Sequence, residues 1–106
     1  MNLSKKLPLT ETTYYILLAL YQEGHGYAIM QRVEELSGGT VRIAAGTMYG
    51  ALDNLLNQKL ILSVSTQDKR RKVYKISSSG IDLIELEVNR LKHLISTYNL
   101  IKREGK

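Results

Sequence analysis

The chain has 106 residues, of which 43% are hydrophobic and 24% are charged, a composition that fits one folded domain with one core and excludes wholesale disorder. It has no cysteine, which excludes disulfides and thiolate metal sites. Its two histidines, His25 and His93, are too far apart in sequence for a histidine-rich metal cluster, and we expect no metal or other cofactor. No apolar run reaches the length of a membrane span, and the first ten residues lack the apolar stretch of a secretion signal. We therefore expect a cytoplasmic protein that has no membrane partner.

The positive charge is concentrated in the middle of the chain. The net charge is +5, and residues 41–80 carry seven basic against two acidic side chains. Residues 1–40 have a net charge of −1, and residues 81–106 have +1. A localised positive field of this kind suits a polyanion such as nucleic acid, or an acidic membrane surface.

The first predicted helix begins after Thr10, which is a good N-cap residue. Leu9 and Tyr14 stand at the spacing of a hydrophobic staple across that cap. Apolar residues then recur at helical period as far as Leu20, and Gly24 ends the helix.

Two further helices are predicted before residue 60. Apolar residues between Ile29 and Leu36 indicate the second helix, which stops at a pair of glycines. Residues 41–43 are too few for more than a minimal strand. The third helix follows Gly46 and should end near Lys59, with its leucines Leu52, Leu55 and Leu56 facing inward.

The pattern changes to β-strand after the third helix. Residues 60–66 and 72–77 are β-rich and partly alternating, and the polar residues 67–71 lie between them, which indicates a hairpin. Residues 77–80 then break the chain, and a last helix is predicted over 81–101.

This order of elements is the one that a winged helix-turn-helix needs, and its class is mostly α with a small β-hairpin (α+β). The third helix can enter a major groove of about 12 Å width, while the hairpin tip contacts phosphates. Four consecutive cations occupy that tip, Lys69-Arg70-Arg71-Lys72. We therefore predict a DNA-binding domain over 1–80 and a dimerisation helix over 81–106, with double-stranded DNA as the partner.

The last helix carries two apolar stripes. One stripe follows the 3-4 spacing of a heptad repeat and is called the heptad seam below: Ile81, Ile84, Val88, Leu91, Ile95 and Tyr98. The chain's own first helix can cover one stripe, and a second copy of the protein is the expected cover for the other, which predicts a homodimer. The alternative is a helix that folds back on its own domain.

Motifs spread over residues 9–80 resemble those of one known family: Leu9-Thr10-Glu11, Tyr15 to Leu20, His25-Gly26-Tyr27, Gly46-Thr47-Met48-Tyr49 and Leu60-Ile61. Together they are similar to the PadR-like transcriptional regulators, and the short tail resembles the subgroup with a single C-terminal helix. The resemblance implies a winged-helix repressor that dimerises through that helix and often binds a small aromatic or drug-like effector. One departure is that the third helix has no Arg or Lys between Ala45 and Gln58, and that Gly50 replaces a residue that is often bulkier.

Base recognition should therefore depend on uncharged side chains of the third helix, namely Thr47, Tyr49, Asn54 and Gln58. Tyr49 is predicted to contact a phosphate, although it could instead cover the edge of the core. Thr47 could also cap the helix. The residues predicted to contact phosphates besides Tyr49 are Arg42, Lys69, Arg70, Arg71 and Lys72.

Other side chains on the first two helices have more than one interpretation. Arg32 could contact a phosphate or pair with Glu35. An effector pocket is predicted between the subunits, where Tyr15 of the first helix meets three residues of the last: Leu91, Ile95 and Tyr98.

The predicted function is that of a DNA-binding transcriptional regulator. We expect a repressor that binds a pseudo-palindromic operator as a homodimer and is released by a small hydrophobic or aromatic effector. An enzyme is disfavoured, because the chain has no nucleophile–base arrangement, no glycine-rich phosphate loop and no suggestive carboxylate pair. The alternative is a winged-helix protein-interaction module or anti-activator that no longer binds DNA specifically.

Overall fold

The computed structural model describes residues 2–64 and 71–105. Within them, a short 3-10 turn at Leu3–Lys6 precedes three helices, a hairpin and a long fourth helix: α1 (Glu11–Ala19), α2 (Gly26–Leu36), α3 (Ala45–Asn57), β1 (Ile61–Val64), β2 (Val73–Ile76) and α4 (Ser78–Glu104). The two strands are antiparallel, with Ile61 opposite Ile76 and Val64 opposite Val73. The predicted α+β class with a helix-helix-helix-hairpin order is confirmed.

The predicted cap of α1 is present, and its other end is closed by a residue from α2. The Thr10 hydroxyl accepts a hydrogen bond from the Thr13 N–H at 3.1 Å. At the far end, the Arg32 guanidinium donates to three backbone carbonyls, those of Ala19, Gln22 and Glu23, at 2.9–3.1 Å. Arg32 therefore satisfies the unpaired carbonyls at the end of α1, a role that neither sequence interpretation included.

The minimal strand predicted at residues 41–43 is wrong. Val41 and Ile43 are buried, but this segment pairs with neither strand. The backbone of Gly24 contacts the hairpin instead, because its N–H and carbonyl pair with Tyr74 at 3.0 and 2.9 Å. The loop before α2 is thereby fixed to β2.

The chain break predicted at residues 77–80 is also wrong. The Ser77 hydroxyl accepts from the Gly80 N–H at 3.1 Å and donates to the Lys59 carbonyl at 2.7 Å, so Ser77 caps α4 and ties it to the end of α3. The helix therefore begins at Ser78 and is longer than the predicted 81–101. The domain boundary predicted at residue 80 lies in its first turn.

The core of the described residues lies between α1, α2, α3, the hairpin and the first turns of α4. Its fully buried side chains are Ile16, Leu17, Leu20, Ile29, Val33, Met48, Leu52, Leu60, Ile61 and Leu83. From residue 92 onward every described residue of α4 is exposed, so this half of the helix extends beyond the core. Among the described helices, none is both long and apolar enough to span a membrane.

Candidate nucleic-acid interface

Helix α3 has one face in the core and one face open to solvent. Leu52 and Leu55 are buried as predicted, Met48 is buried as well, and Leu56 is half-buried. Besides Tyr49, the exposed face carries two glycines and four polar residues: Gly46, Thr47, Gly50, Asp53, Asn54 and Asn57. This face can approach a ligand closely, because space is open beside both glycines.

A cleft of about 650 Å³ separates α3 from the hairpin and the start of α2, and we call it the hairpin cleft. Its lining combines α3 residues with two hairpin cations, Tyr74 of β2 and the residues around the start of α2: His25, Gly26, Tyr27, Tyr49, Asp53, Arg71, Lys72 and Tyr74. The structure thus brings Tyr49 together with Arg71 and Lys72. The other two predicted hairpin cations, Lys69 and Arg70, lie outside the described residues.

Tyr49 combines a packing contact with an exposed surface. Its ring lies against Gly26, where an added Cβ atom would be only 2.8 Å from Tyr49 Cζ. The residue is nevertheless 48% exposed. Tyr49 therefore covers the start of α2 and still presents surface to the hairpin cleft.

Tyr74 forms the buried wall of the hairpin cleft. Burial raises the pKa of its phenol, and the nearby Asp53 carboxylate and Tyr49 raise it further. The phenol is therefore protonated throughout the neutral range, and the negative charge on this wall comes from Asp53.

The first turn of α3 shows that Thr47 is not a cap. The N-cap position is Ala44, which makes no side-chain cap hydrogen bond. Thr47 lies within the first turn and is exposed. Its capping interpretation is wrong, whereas its contact with DNA stays a prediction.

Asn54 and Gln58 lie at the opposite edge of α3 from Tyr49. They line a second cleft of about 490 Å³, which the start of α1 and the 3-10 turn enclose. Lys6 of that turn donates from Nζ to Gln58 Oε1 at 2.7 Å, and Gln58 Nε2 donates to Asn54 Oδ1. Sequence reasoning missed Lys6, because a contact across 52 residues leaves no periodic signal.

Arg42 lies in the loop between α2 and α3. Its Nε is 2.8 Å from Glu34 Oε1, and its side chain is 78% exposed. The ion pair holds Arg42 beside α2, at the surface. Its predicted phosphate contact stays a prediction.

The heptad seam divides into a covered and an exposed part. Ile84 is buried at 3% exposure in the core of its own chain, and Val88 packs partly against that core. Ile84 therefore has almost no surface left for a partner. Ile95 and Tyr98 are each 60% exposed, while Ile81 is 37% exposed.

The predicted effector residues come only partly together. Tyr15 and Leu91 line one cleft of about 450 Å³ between α1 and α4, with Glu87 and Arg90. Ile95 and Tyr98 lie further along α4 and are not among the lining residues.

Glu87, which sequence reasoning also missed, is a buried carboxylate beside this cleft. It is 2% exposed, and it accepts from the Leu9 N–H at 2.7 Å and from the Arg90 guanidinium. The hydrogen bond from Arg90 lowers the pKa of Glu87, and the one from Leu9 adds to this effect against the opposing influence of burial.

Solved structures of transcription regulators are similar to this chain. A PadR-like transcription factor from Bacteroides fragilis is 26% identical over 85% of this chain and 88% of that chain, with a TM-score of 0.72. RosR from H. salinarum is 30% identical over 87% of this chain and 79% of that chain, with a TM-score of 0.65. A PadR family transcription regulator from Clostridium difficile R20291 shares the fold at 24% identity, with a TM-score of 0.66 and coverage of 84% of this chain and 96% of that chain.

The family assignment agrees with these structures. No curated protein is significantly similar to this chain in sequence. The model of the transcriptional regulator PadR-like family, in contrast, matches residues 16–85, which include α2, α3, the hairpin and the start of α4. The winged-helix protein described above therefore belongs to the PadR-like family of DNA-binding transcriptional regulators, and it is not an enzyme.

Proposed function

We propose that this protein is a cytoplasmic repressor that binds a pseudo-palindromic operator as a homodimer. In each subunit α3 enters the major groove, and Arg71 and Lys72 contact the phosphates beside it. The observation that carries the proposal is the hairpin cleft, where those two cations stand next to the exposed face of α3. An α-helix fits into the major groove, and phosphate contacts fix its register there.

Because α3 has no basic residue, we expect the affinity for DNA and the specificity for its sequence to come from different elements. Phosphate contacts supply most of the affinity of a DNA-binding protein, and they are made by cations. In this chain the hairpin supplies those cations, while the exposed face of α3 carries Asn54 and Thr47, which can hydrogen-bond to base edges. The backbone N–H groups at the start of α3 have no side-chain cap and can also donate to a phosphate.

The second subunit and the effector are proposed from the geometry of α4. Four of its exposed apolar residues beyond the core share one side of the helix, Leu94, Ile95, Tyr98 and Ile101, and they form a surface that a second copy would cover. The cleft between Tyr15 and Leu91 has the size of a small-molecule site. A small hydrophobic or aromatic effector in that cleft would lie where α4 leaves the core, and so would change the angle between the two subunits.

Removing the two hairpin cations tests the phosphate contacts. Arg71→Ala combined with Lys72→Ala should weaken binding to operator and to unrelated duplexes alike. It should also reduce the slope of log affinity against log salt by about two units, because each lost contact removes about 0.9. Binding is measured by fluorescence anisotropy at several salt concentrations.

The matched control is Lys92→Ala, which removes one exposed cation from α4, far from the hairpin along the chain. It should leave the salt slope unchanged. If the double variant keeps the parent's slope, the hairpin is not the phosphate-binding surface, and this part of the proposal is wrong.

A second candidate function is a winged-helix protein-interaction module that does not bind DNA specifically. It is favoured by one feature of α3, whose exposed face carries the acidic Asp53 and no basic residue. A protein of this kind would lose all duplex binding when unlabelled random DNA is added in excess. The proposed repressor should keep a fraction bound to its operator under the same competition.

A further inference from the structure

Three side chains form a continuous hydrogen-bonded chain along the edge of α3, and we call it the Lys6 relay. Lys6 Nζ donates to Gln58 Oε1 at 2.7 Å, and Gln58 Nε2 donates to Asn54 Oδ1. Asn54 and Gln58 are four residues apart and so lie on the same side of the helix. Lys6 and Gln58 are half-buried, whereas Asn54 is exposed.

The donor–acceptor direction of this relay is fixed by its first member. A lysine ammonium has three donors and no acceptor, so Gln58 must turn its carbonyl oxygen toward Lys6. The amide nitrogen of Gln58 then faces Asn54, which must present its own oxygen in return. The NH₂ group of Asn54 is the part left to face a ligand, and within residues 2–64 and 71–105 it has no hydrogen-bond partner.

We infer that Lys6 is a positioning residue that sets the direction in which Asn54 reads a base, an inference that rests on the proposed function. A group that presents two N–H donors fits the major-groove edge of guanine, where N7 and O6 both accept. Cytosine offers only its N4 amino donor at that edge and is rejected. The two-bond contact with adenine needs Asn54 Oδ1 and Nδ2 together in the groove, whereas the hydrogen bond from Gln58 holds Oδ1 toward α3 and uses one of its two lone pairs. The relay therefore favours guanine over adenine and cytosine at one position of each half-site.

The alternative is that the relay only stabilises α3. An amide pair at this spacing contributes to helix stability without any dependence on which base is bound. A substitution that reverses the direction of the relay separates the two roles, because a stabilising pair has no preferred base to change.

Gln58→Glu makes that reversal with almost no change of shape. A carboxylate only accepts, so it still binds Lys6 but now requires the NH₂ group of Asn54 as its donor. Asn54 then presents its oxygen outward. The preferred base at its position should change from guanine to one with an amino donor, cytosine or adenine, and the ratio of guanine to cytosine should shift by about tenfold or more. The readout is selection from a random duplex pool followed by sequencing.

Three further variants identify the position and the cause. Asn54→Ala should remove the preference at one position of each half-site and so mark where Asn54 reads. Lys6→Met should relax the preference at that same position without reversing it, because both amides become free to turn. Lys5→Met is its control, since it removes the same charge from an exposed neighbour.

Asn57→Asp is the control for the added negative charge of Gln58→Glu. Asn57 is exposed on α3 and lies outside the relay, so its variant should weaken binding to all duplexes and keep the preferred base. If the parent selects no motif at all, the proposed function fails. If the parent selects a motif and Gln58→Glu keeps guanine at the Asn54 position, or Asn54→Ala leaves the motif unchanged, the relay inference is wrong while the proposed function stands.

Discussion

Glu87 is a buried residue of α4, and one of its two hydrogen bonds ties the segment before α1 to this helix. Its oxygens accept from the Leu9 N–H and from Arg90. A buried carboxylate is tolerated only when its oxygens are paired in this way. The contact fixes the angle at which α4 leaves the core, next to the cleft that Tyr15 and Leu91 line.

Replacing Glu87 with Ala should lower the free energy of unfolding by about 1–3 kcal/mol at neutral pH, because it leaves the half-buried Leu9 N–H without its acceptor. The pKa of Glu87 is lowered in the folded state. Its stabilising contribution is therefore complete above the pKa of an unfolded glutamate and is lost as the pH falls through the lower, folded value. The difference between parent and variant, measured by urea unfolding, should shrink in acid.

Glu85→Ala is the matched control for Glu87→Ala. Glu85 lies on the same helix and is exposed, so its replacement should change the free energy of unfolding by less than about 0.5 kcal/mol. Equal effects of the two variants would mean that the buried hydrogen bonds contribute nothing to stability.

The residue contacts that sequence reasoning missed are all polar and distant in the chain. Lys6 with Gln58, Arg32 with the end of α1, and Glu87 with Leu9 each join separate elements. Periodicity predicts which face of a helix is buried, but it contains nothing about which charged side chain reaches a neighbouring element. The base-reading and phosphate-binding residues named from the sequence, in contrast, stay predictions.

The glycines of α3 and α4 differ in what surrounds them. An added Cβ atom at Gly80 would lie 2.6 Å from Ile76 Cγ1 and closer still to the Leu60 carbonyl oxygen. At Gly50 an added Cβ atom would meet nothing within 4 Å. The first turn of α4 thus packs directly on the hairpin only because residue 80 has no side chain.

Gly80→Ala should therefore destabilise the fold by about 1–3 kcal/mol, since the helix must move away from the hairpin. Gly50→Ala is the matched substitution in open space, and it should stabilise α3 by about 0.5–1 kcal/mol through the lower backbone entropy of the unfolded chain. Thermal unfolding followed by circular dichroism measures both. A Gly80→Ala variant as stable as the parent would contradict the close packing of α4 on the hairpin.

At the scale of elements, features that depend on a few neighbouring residues are predicted better than features that depend on contacts between distant residues. The cap at Thr10 and the hairpin were predicted, because cap chemistry and strand alternation are encoded within a few residues. The predictions of a strand at 41–43 and of a break at 77–80 are wrong for different reasons. Val41 and Ile43 are buried but pair with neither described strand, and Ser77 is the cap of α4 and not a break in the chain.

The whole molecule is elongated, measuring 60 by 33 by 20 Å, because α4 continues past the core. A helix of 27 residues is about 40 Å long at 1.5 Å per residue. Its first third is buried through Leu83, Ile84 and Glu87. From residue 92 onward the helix is exposed and carries apolar side chains whose contact with water is unfavourable. The heptad spacing gives a second helix a surface to pack on.

We predict that residues 91–101 hold the protein as a homodimer and that the dimer is required for tight operator binding. Ile95→Asp combined with Tyr98→Asp should split it, because both side chains are 60% exposed in the single chain and would be buried only in the dimer. Helix content should change little, while affinity for the operator falls steeply since two half-sites are read together. His93→Asp is the control on the same exposed segment. His93 lies about 160° around the helix from Ile95, so its replacement should leave the dimer intact. Sedimentation at micromolar concentration measures the mass of each variant, and a parent protein that sediments as a single chain yet binds its operator tightly would contradict the prediction.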